Sequence, residues 1–181
     1  GARRGSIHLL KDRIAGRGVL LDLPRWLGVD RLPQGHGITS AELDGCAAAQ
    51  GVEVRTGDLL LVRTGHVPWF YELADKSAFW RGGAPGMSRE TVEWIHAREI
   101  AALAMDNIAV EVEPFEEPYE HVYPLHVRLI RDLGLTLGEI WWLEDLAAAC
   151  AAENRWEFFL SAAPLALTNA SGSPLNPIAF L

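Results

Sequence analysis

Three short runs of almost unbroken apolar residues most restrict what this chain can become. They are RGVLLDL at 17–23, DLLLVR at 58–63 and IAALAMD at 100–106. Runs of this length, rich in Leu and Val, read as strands buried within a sheet. Helical signals separate them. Thr39-Ser40-Ala41-Glu42 has the spacing of a capping box, in which a hydroxyl and a carboxylate satisfy each other's backbone amides, so a helix is expected over 40–50 and Gly51 ends it. Ser88 is expected to cap a second helix reaching Ala97. Strands alternating with helices give an α/β architecture. With 181 residues, the chain suits one domain over 1–181 with a sizeable core.

The flanking segments fill in this pattern. A short amphipathic helix is expected over 6–15, with Ile7, Leu10 and Ile14 on one face. Residues 24–37 read as loop. Residues 67–87 read as irregular, and their aromatics (69–71, 79 and 80) as packing or a subunit contact. A last helix is expected over 143–152 and a strand over 156–165. The tail from 158 to 181 carries no charge, but Pro164, Pro174 and Pro177 interrupt it, so it reads as strands and a turn rather than a membrane span.

The composition excludes several functions. Hydrophobic residues make up 49% and charged ones 22%, as in ordinary globular proteins. A net charge of -8 argues against nucleic-acid binding through a basic face. Cys46 and Cys150 are the only cysteines and form no CxxC pair, which points to a reduced, cytoplasmic protein. The sequence contains no G-x-S-x-G, no P-loop and no G-x-G-x-x-G. The acidic residues Glu111, Glu113, Glu116, Glu117 and Glu120 lack the spacing of a calcium loop, and read as a solvated loop.

The chemistry concentrates in 121–144, HVYPLHVRLIRDLGLTLGEIWWLE. Pro124 opens a helix, Leu125, Leu129, Ile130 and Leu133 recur at helical spacing, and Gly134 stops it. An apolar, aromatic strand is expected to follow. Nine helical residues advance about 13 Å, and four or five strand residues return a similar distance. His126 at the helix start could therefore meet Glu139 on the strand. An imidazole and a carboxylate that converge are two ligands for zinc or manganese, although a catalytic zinc takes three protein ligands. Of the other histidines, His66 and His121 read as loop residues, His36 and His96 as surface residues, and His8 as structural.

Five phrases, in order, resemble the cyclase family of metal-dependent kynurenine formamidases and isatin hydrolases. They are RGVLLDL, DLLLVRTG, EIAALAMDN, PLHVRLIRDLGLTLGE and WEFFLSAAPLALTNASGSPLNPIA. The resemblance implies a swivelling β/β/α domain, with a mixed sheet flanked by helices, assembled as homodimers or homotetramers. It implies hydrolysis of a small-molecule amide, a formamide or cyclic amide, by metal-activated water. His126 falls where the family has a metal-site histidine that is ligand or proton shuttle, Glu139 where the formamidases have a metal-ligating glutamate, and Asp106 at an acidic position near the pocket. The family's His-x-Gly-Thr-His-x-Asp motif does not occur in these 181 residues. The resemblance therefore covers the C-terminal two-thirds of a cyclase, with the N-terminal part expected upstream of Gly1. A non-catalytic binding or assembly module on the same scaffold, or a dehydrating biosynthetic cyclase, are the alternatives.

Overall fold

The computed structural model describes residues 5–116 and 123–181. A short 3-10 turn, Ile7–Leu10, leads into β1, Ala15–Asp22. The helix expected over 6–15 is cut short because the chain is already committed to the sheet, where the Ile14 carbonyl accepts the Ala162 amide at 2.8 Å. The segment read as loop contains α1, Leu23–Leu27, started by the Asp22 carboxylate and Pro24 and ended at Gly28 with φ +71°. It also contains a two-residue strand, β2, Gly37–Ile38.

Helix α2, Ser40–Gln50, forms where the capping box places it, with both reciprocal bonds between Thr39 and Glu42 present and Gly51 in the left-handed conformation. A cap of this kind contributes about 1 kcal/mol. Strand β3, Leu59–Arg63, and helix α3, His66–Glu72, follow. A 3-10 turn, Lys76–Trp80, and β4, Gly86–Met87, complete the stretch expected to be irregular. Helix α4, Thr91–Ala97, begins three residues after Ser88. The Ser88 hydroxyl has no hydrogen-bond partner among the described residues, and it is the Ser88 carbonyl that receives the Thr91 hydroxyl.

Strand β5 is Ala102–Met105, and α5 begins at Pro124–His126 and continues as a wider π-turn over Val127–Asp132. The Leu133 amide reaches back five residues to the Arg128 carbonyl, which rotates Ile130 out of the apolar stripe and leaves it half-exposed while Leu125 and Leu129 stay buried. Strand β6 is only Thr136–Gly138, α6 is Glu144–Glu153, β7 is Glu157–Ser161 and β8 is Ile178–Phe180.

Six strands form one mixed sheet in the order β6-β5-β3-β1-β7-β8, while β2 and β4 pair separately. Strands β1, β3, β5 and β6 are parallel, and β7 and β8 run antiparallel to their neighbours. Val19, Leu20, Leu21, Leu60, Leu61 and Val62 are all buried in sequence, so both faces of the central strands are covered. Gly18 makes that packing possible at β7, since a Cβ there would lie 2.4 Å from the Phe158 ring. No helix among the described residues is long and apolar enough to cross a membrane.

Candidate metal and catalytic site

The parallel strands point their carboxyl ends the same way, and the chain leaves β5 at Asp106 and β6 at Glu139. In open α/β sheets this edge is where ligands bind. Helix α5 arrives there through a tight turn at Tyr123, φ +58°, which puts His126 on its first turn. The His126 Nε2 stands 2.9 Å from Glu139 Oε1, the meeting that the helix and strand lengths predict.

On the other side of the ring stands Glu111. Its Oε1 accepts from His126 Nδ1 at 2.7 Å and from the His126 backbone amide at 3.1 Å, and its Oε2 accepts the Leu125 amide at 3.0 Å. Its side chain is 3% exposed, against 25% for His126 and 36% for Glu139. This corrects the reading of Glu111 as part of a solvated acidic loop. The signal in the sequence was local: Glu111 lies between Val110 and Val112, not in a polar run. The rest of that cluster divides, with Glu116 exposed and Glu117 and Glu120 outside the described residues, as is His121.

Backbone pairing holds Glu111 in place. Met87 donates to the Val110 carbonyl at 2.8 Å and accepts from the Val112 amide at 3.1 Å. Gly86 allows this approach, because a Cβ there would meet the Glu111 carbonyl carbon at 2.3 Å. Asn107 fastens the start of the segment, donating to the Pro85 carbonyl at 2.8 Å and accepting the Val110 amide at 2.9 Å.

Hydrogen bonds donated to Glu111 and then to Glu139 raise the His126 pKa to about 9, so the metal-free imidazole carries a proton on each nitrogen. Tyr123 lies 5.3 Å from the ring, with Phe115 beyond it at 5.0 Å from Tyr123. His126 and Glu139 open onto a cavity of about 990 Å³ that Ile130, Ile140, Trp141 and Trp142 also line. That size, with apolar walls and polar groups such as Ser6, Thr136 and Asn176 among them, suits a small organic ligand.

Asp106 occupies a different place. It is fully buried, and its carboxylate accepts from the Thr64 amide (2.6 Å), the Thr64 hydroxyl (2.7 Å) and the Gly65 amide (2.7 Å). Burial pushes its pKa up to about 6 against the pull of those bonds. Asp106 thus clamps the turn that leads into His66. His66 is not a loop residue: it starts α3, is 0% exposed, and stacks on Phe79 at 4.5 Å. His36 pairs with Glu42 at 2.8 Å and is half-buried, His96 is exposed, and His8 accepts or donates one bond with Ser6 at 2.8 Å.

The donor set fits part of a metal centre. Two ligands of a tetrahedral ion bound at roughly 2.0–2.2 Å stand about 3.4 Å apart, so His126 Nε2 and Glu139 Oε1, hydrogen-bonded to each other at 2.9 Å, would separate by only about 0.5 Å to hold one. Among the described residues, no group of three or more His, Cys, Asp or Glu side chains is placed to hold an ion. Both cysteines are buried, and burial pushes their thiols up to about 12 (Cys46) and about 11 (Cys150), far from thiolate ligands.

A six-stranded mixed sheet flanked by helices makes this an α/β protein, and its fold matches that of cyclase structures. The chain belongs to the cyclase family: its residues 2–112 match the family described as "Putative cyclase". A solved structure described as a novel cyclase is 45% identical, with a TM-score of 0.89 over 96% of this chain and 56% of that one. Isatin hydrolase A from Labrenzia aggregata shares the fold at 20% identity and a TM-score of 0.72, covering 96% of this chain and 64% of that one. A protein described as a "potential metal-dependent hydrolase with cyclase activity" shares it at 15% identity and 0.62, over 99% of this chain and 69% of that one. The chain thus spans 56% and 64% of the lengths of the first two. No curated protein matches it.

Proposed function

We propose that this chain carries part of the active site of a metal-dependent hydrolase that cleaves a small-molecule amide, a formamide or a cyclic amide. The observation that carries the reading is the pair of His126 Nε2 and Glu139 Oε1, 2.9 Å apart at the mouth of an apolar cavity. His126 and Glu139 would hold a divalent ion, zinc or manganese, with its other ligands supplied from outside the described residues. Such an ion lowers the pKa of water and polarises a carbonyl.

This chain's own residues perform the rest. Glu139, the more exposed carboxylate, accepts from His126 Nε2 and also lines the cavity. Trp141, Trp142, Ile130 and Ile140 offer apolar surface to the ring or chain attached to the amide. His126 gives up its Nε2 proton when it becomes a ligand, so metal affinity rises with pH towards about 9.

The test is metal content and hydrolysis of an aryl formamide and of isatin by the full-length protein, with H126A and E139Q. Loss of bound metal and a drop of at least ~100-fold in kcat/KM in both variants is expected. Unchanged metal and turnover in both would overturn the assignment and favour a binding module on the same scaffold.

A further inference from the structure

We propose that Glu111 is the positioning residue of this site: it fixes the His126 ring through Nδ1 so that Nε2 alone faces Glu139 and the cavity. The inference rests on the reading of His126 and Glu139 as metal ligands and adds a residue to it.

Three features support it. First, one oxygen of Glu111 takes both the His126 ring and the His126 backbone amide, at 2.7 and 3.1 Å, so ring and main chain are tied to a single point. Turning the ring to present Nδ1 to the cavity would break the shorter of these bonds and leave a buried carboxylate oxygen short of a donor. Second, Glu111 has little freedom of its own. Its neighbours are paired on both sides to Met87, and Gly86 sits against its backbone. Third, Glu139 cannot do the same work, since its side chain is 36% exposed while that of Glu111 is 3% exposed. A metal-bound imidazole generally donates its other N–H to such a buried carboxylate, which selects the tautomer and strengthens the donor nitrogen.

The rival account is that Glu111 only caps the start of α5. It takes the Leu125 and His126 amides, which lack helical partners. A cap alone would affect stability without touching the ring.

The experiment uses the full-length protein with 15N-labelled histidine, and reads the His126 ring by long-range 1H–15N NMR with and without zinc. The wild type is expected to show a slowly exchanging Nδ1 proton in both states, with only Nε2 shifting when zinc binds. A fast-exchanging or absent Nδ1 proton, or zinc on Nδ1, would overturn the proposal without any variant. E111A removes both acceptor oxygens. It is expected to lower the Tm, lose the protected proton and bind zinc about 10- to 100-fold more weakly. A lowered Tm with unchanged zinc affinity and a retained Nδ1 proton would leave Glu111 as a cap only. If H126A and E139Q bind zinc like the wild type, the metal-site reading fails. The Nδ1 proton of the metal-free protein still decides the role of Glu111.

Discussion

His126 and His66 are two withdrawn histidines with opposite surroundings. His126 has a carboxylate at each ring nitrogen, at 2.7 and 2.9 Å, and its pKa rises to about 9. His66 is closed in by Phe79 and Trp69, at 4.5 and 5.6 Å between ring centroids. Neither of its nitrogens has a hydrogen-bond partner among the described residues. Burial, and then the nearby Arg31, lower its pKa to about 4. The same side chain is a charged, hydrogen-bonded centre in one place and a neutral packing group in the other. Chemistry follows from what surrounds the ring more than from the ring itself.

The two histidines also respond to pH in opposite senses. The folded His126 holds its proton more tightly than an unfolded chain would. Its contribution to stability is complete below about 6.5 and is lost as pH rises through about 9. The folded His66 resists protonation. Its contribution is complete above about 6.5 and is lost as pH falls through about 4. Asp106, raised to about 6, opposes His66 over part of the acid range, because its folded form holds a proton that the unfolded chain releases.

Variants sharpen the contrast, and the largest effect is expected from D106N. An amide in place of this carboxylate keeps one acceptor but sets its N–H groups against the donors on the other side, the Gly65 amide or those of Thr64. Stability should fall by about 4 kcal/mol, on the order of 10 °C in Tm. The His126 titration should stay where it is. A His126 shift as large as that caused by removing Glu139 would mean that the two regions are coupled.

Next in size is H66F. It removes a buried N–H without a partner, and should stabilise the fold by about 1 kcal/mol at pH 7 and by about 2 kcal/mol more at pH 5, where the wild type has begun to lose the His66 contribution. Thermal melts at the two pH values measure this. A lower Tm for H66F at pH 5 would show that His66 has a partner or role other than packing.

The smallest effect belongs to E139Q in the metal-free protein. It should lower the His126 pKa part of the way and no further, because the hydrogen bond to Glu111 leads the shift. NMR titration of His126 reads this directly. A complete return to an ordinary imidazole value would make Glu139, not Glu111, the group that sets the charge.

Much of the scaffold is legible in the residues. The runs at 17–23, 58–63 and 100–106 become β1, β3 and β5, because continuous apolar sequence has few alternatives to a doubly covered strand. Thr39 and Glu42 start α2 where their spacing demands. Those signals are local. The short helix α1 was hidden by Pro24 and the glycines after it, and the π-turn in α5 has no marker in the sequence, so Ile130 faces outward against its periodicity.

The site divides along the same line. His126 and Glu139 could be paired from chain lengths alone, because only a helix and a short return separate them. Glu111 could not. Its place beside His126 comes through pairing of 110–112 with Met87 on the small second sheet. Asp106 illustrates the converse: the sequence gives a carboxylate at the end of a strand, and the fold decides that its oxygens hold Thr64 and Gly65. Local sequence determined the strands, the capped helix and the candidate pair, since those depend on neighbours within about a dozen residues. Tertiary structure decided what the buried carboxylates face, because their places depend on strands and turns packed alongside them, Met87 beside Glu111 and Thr64 beside Asp106.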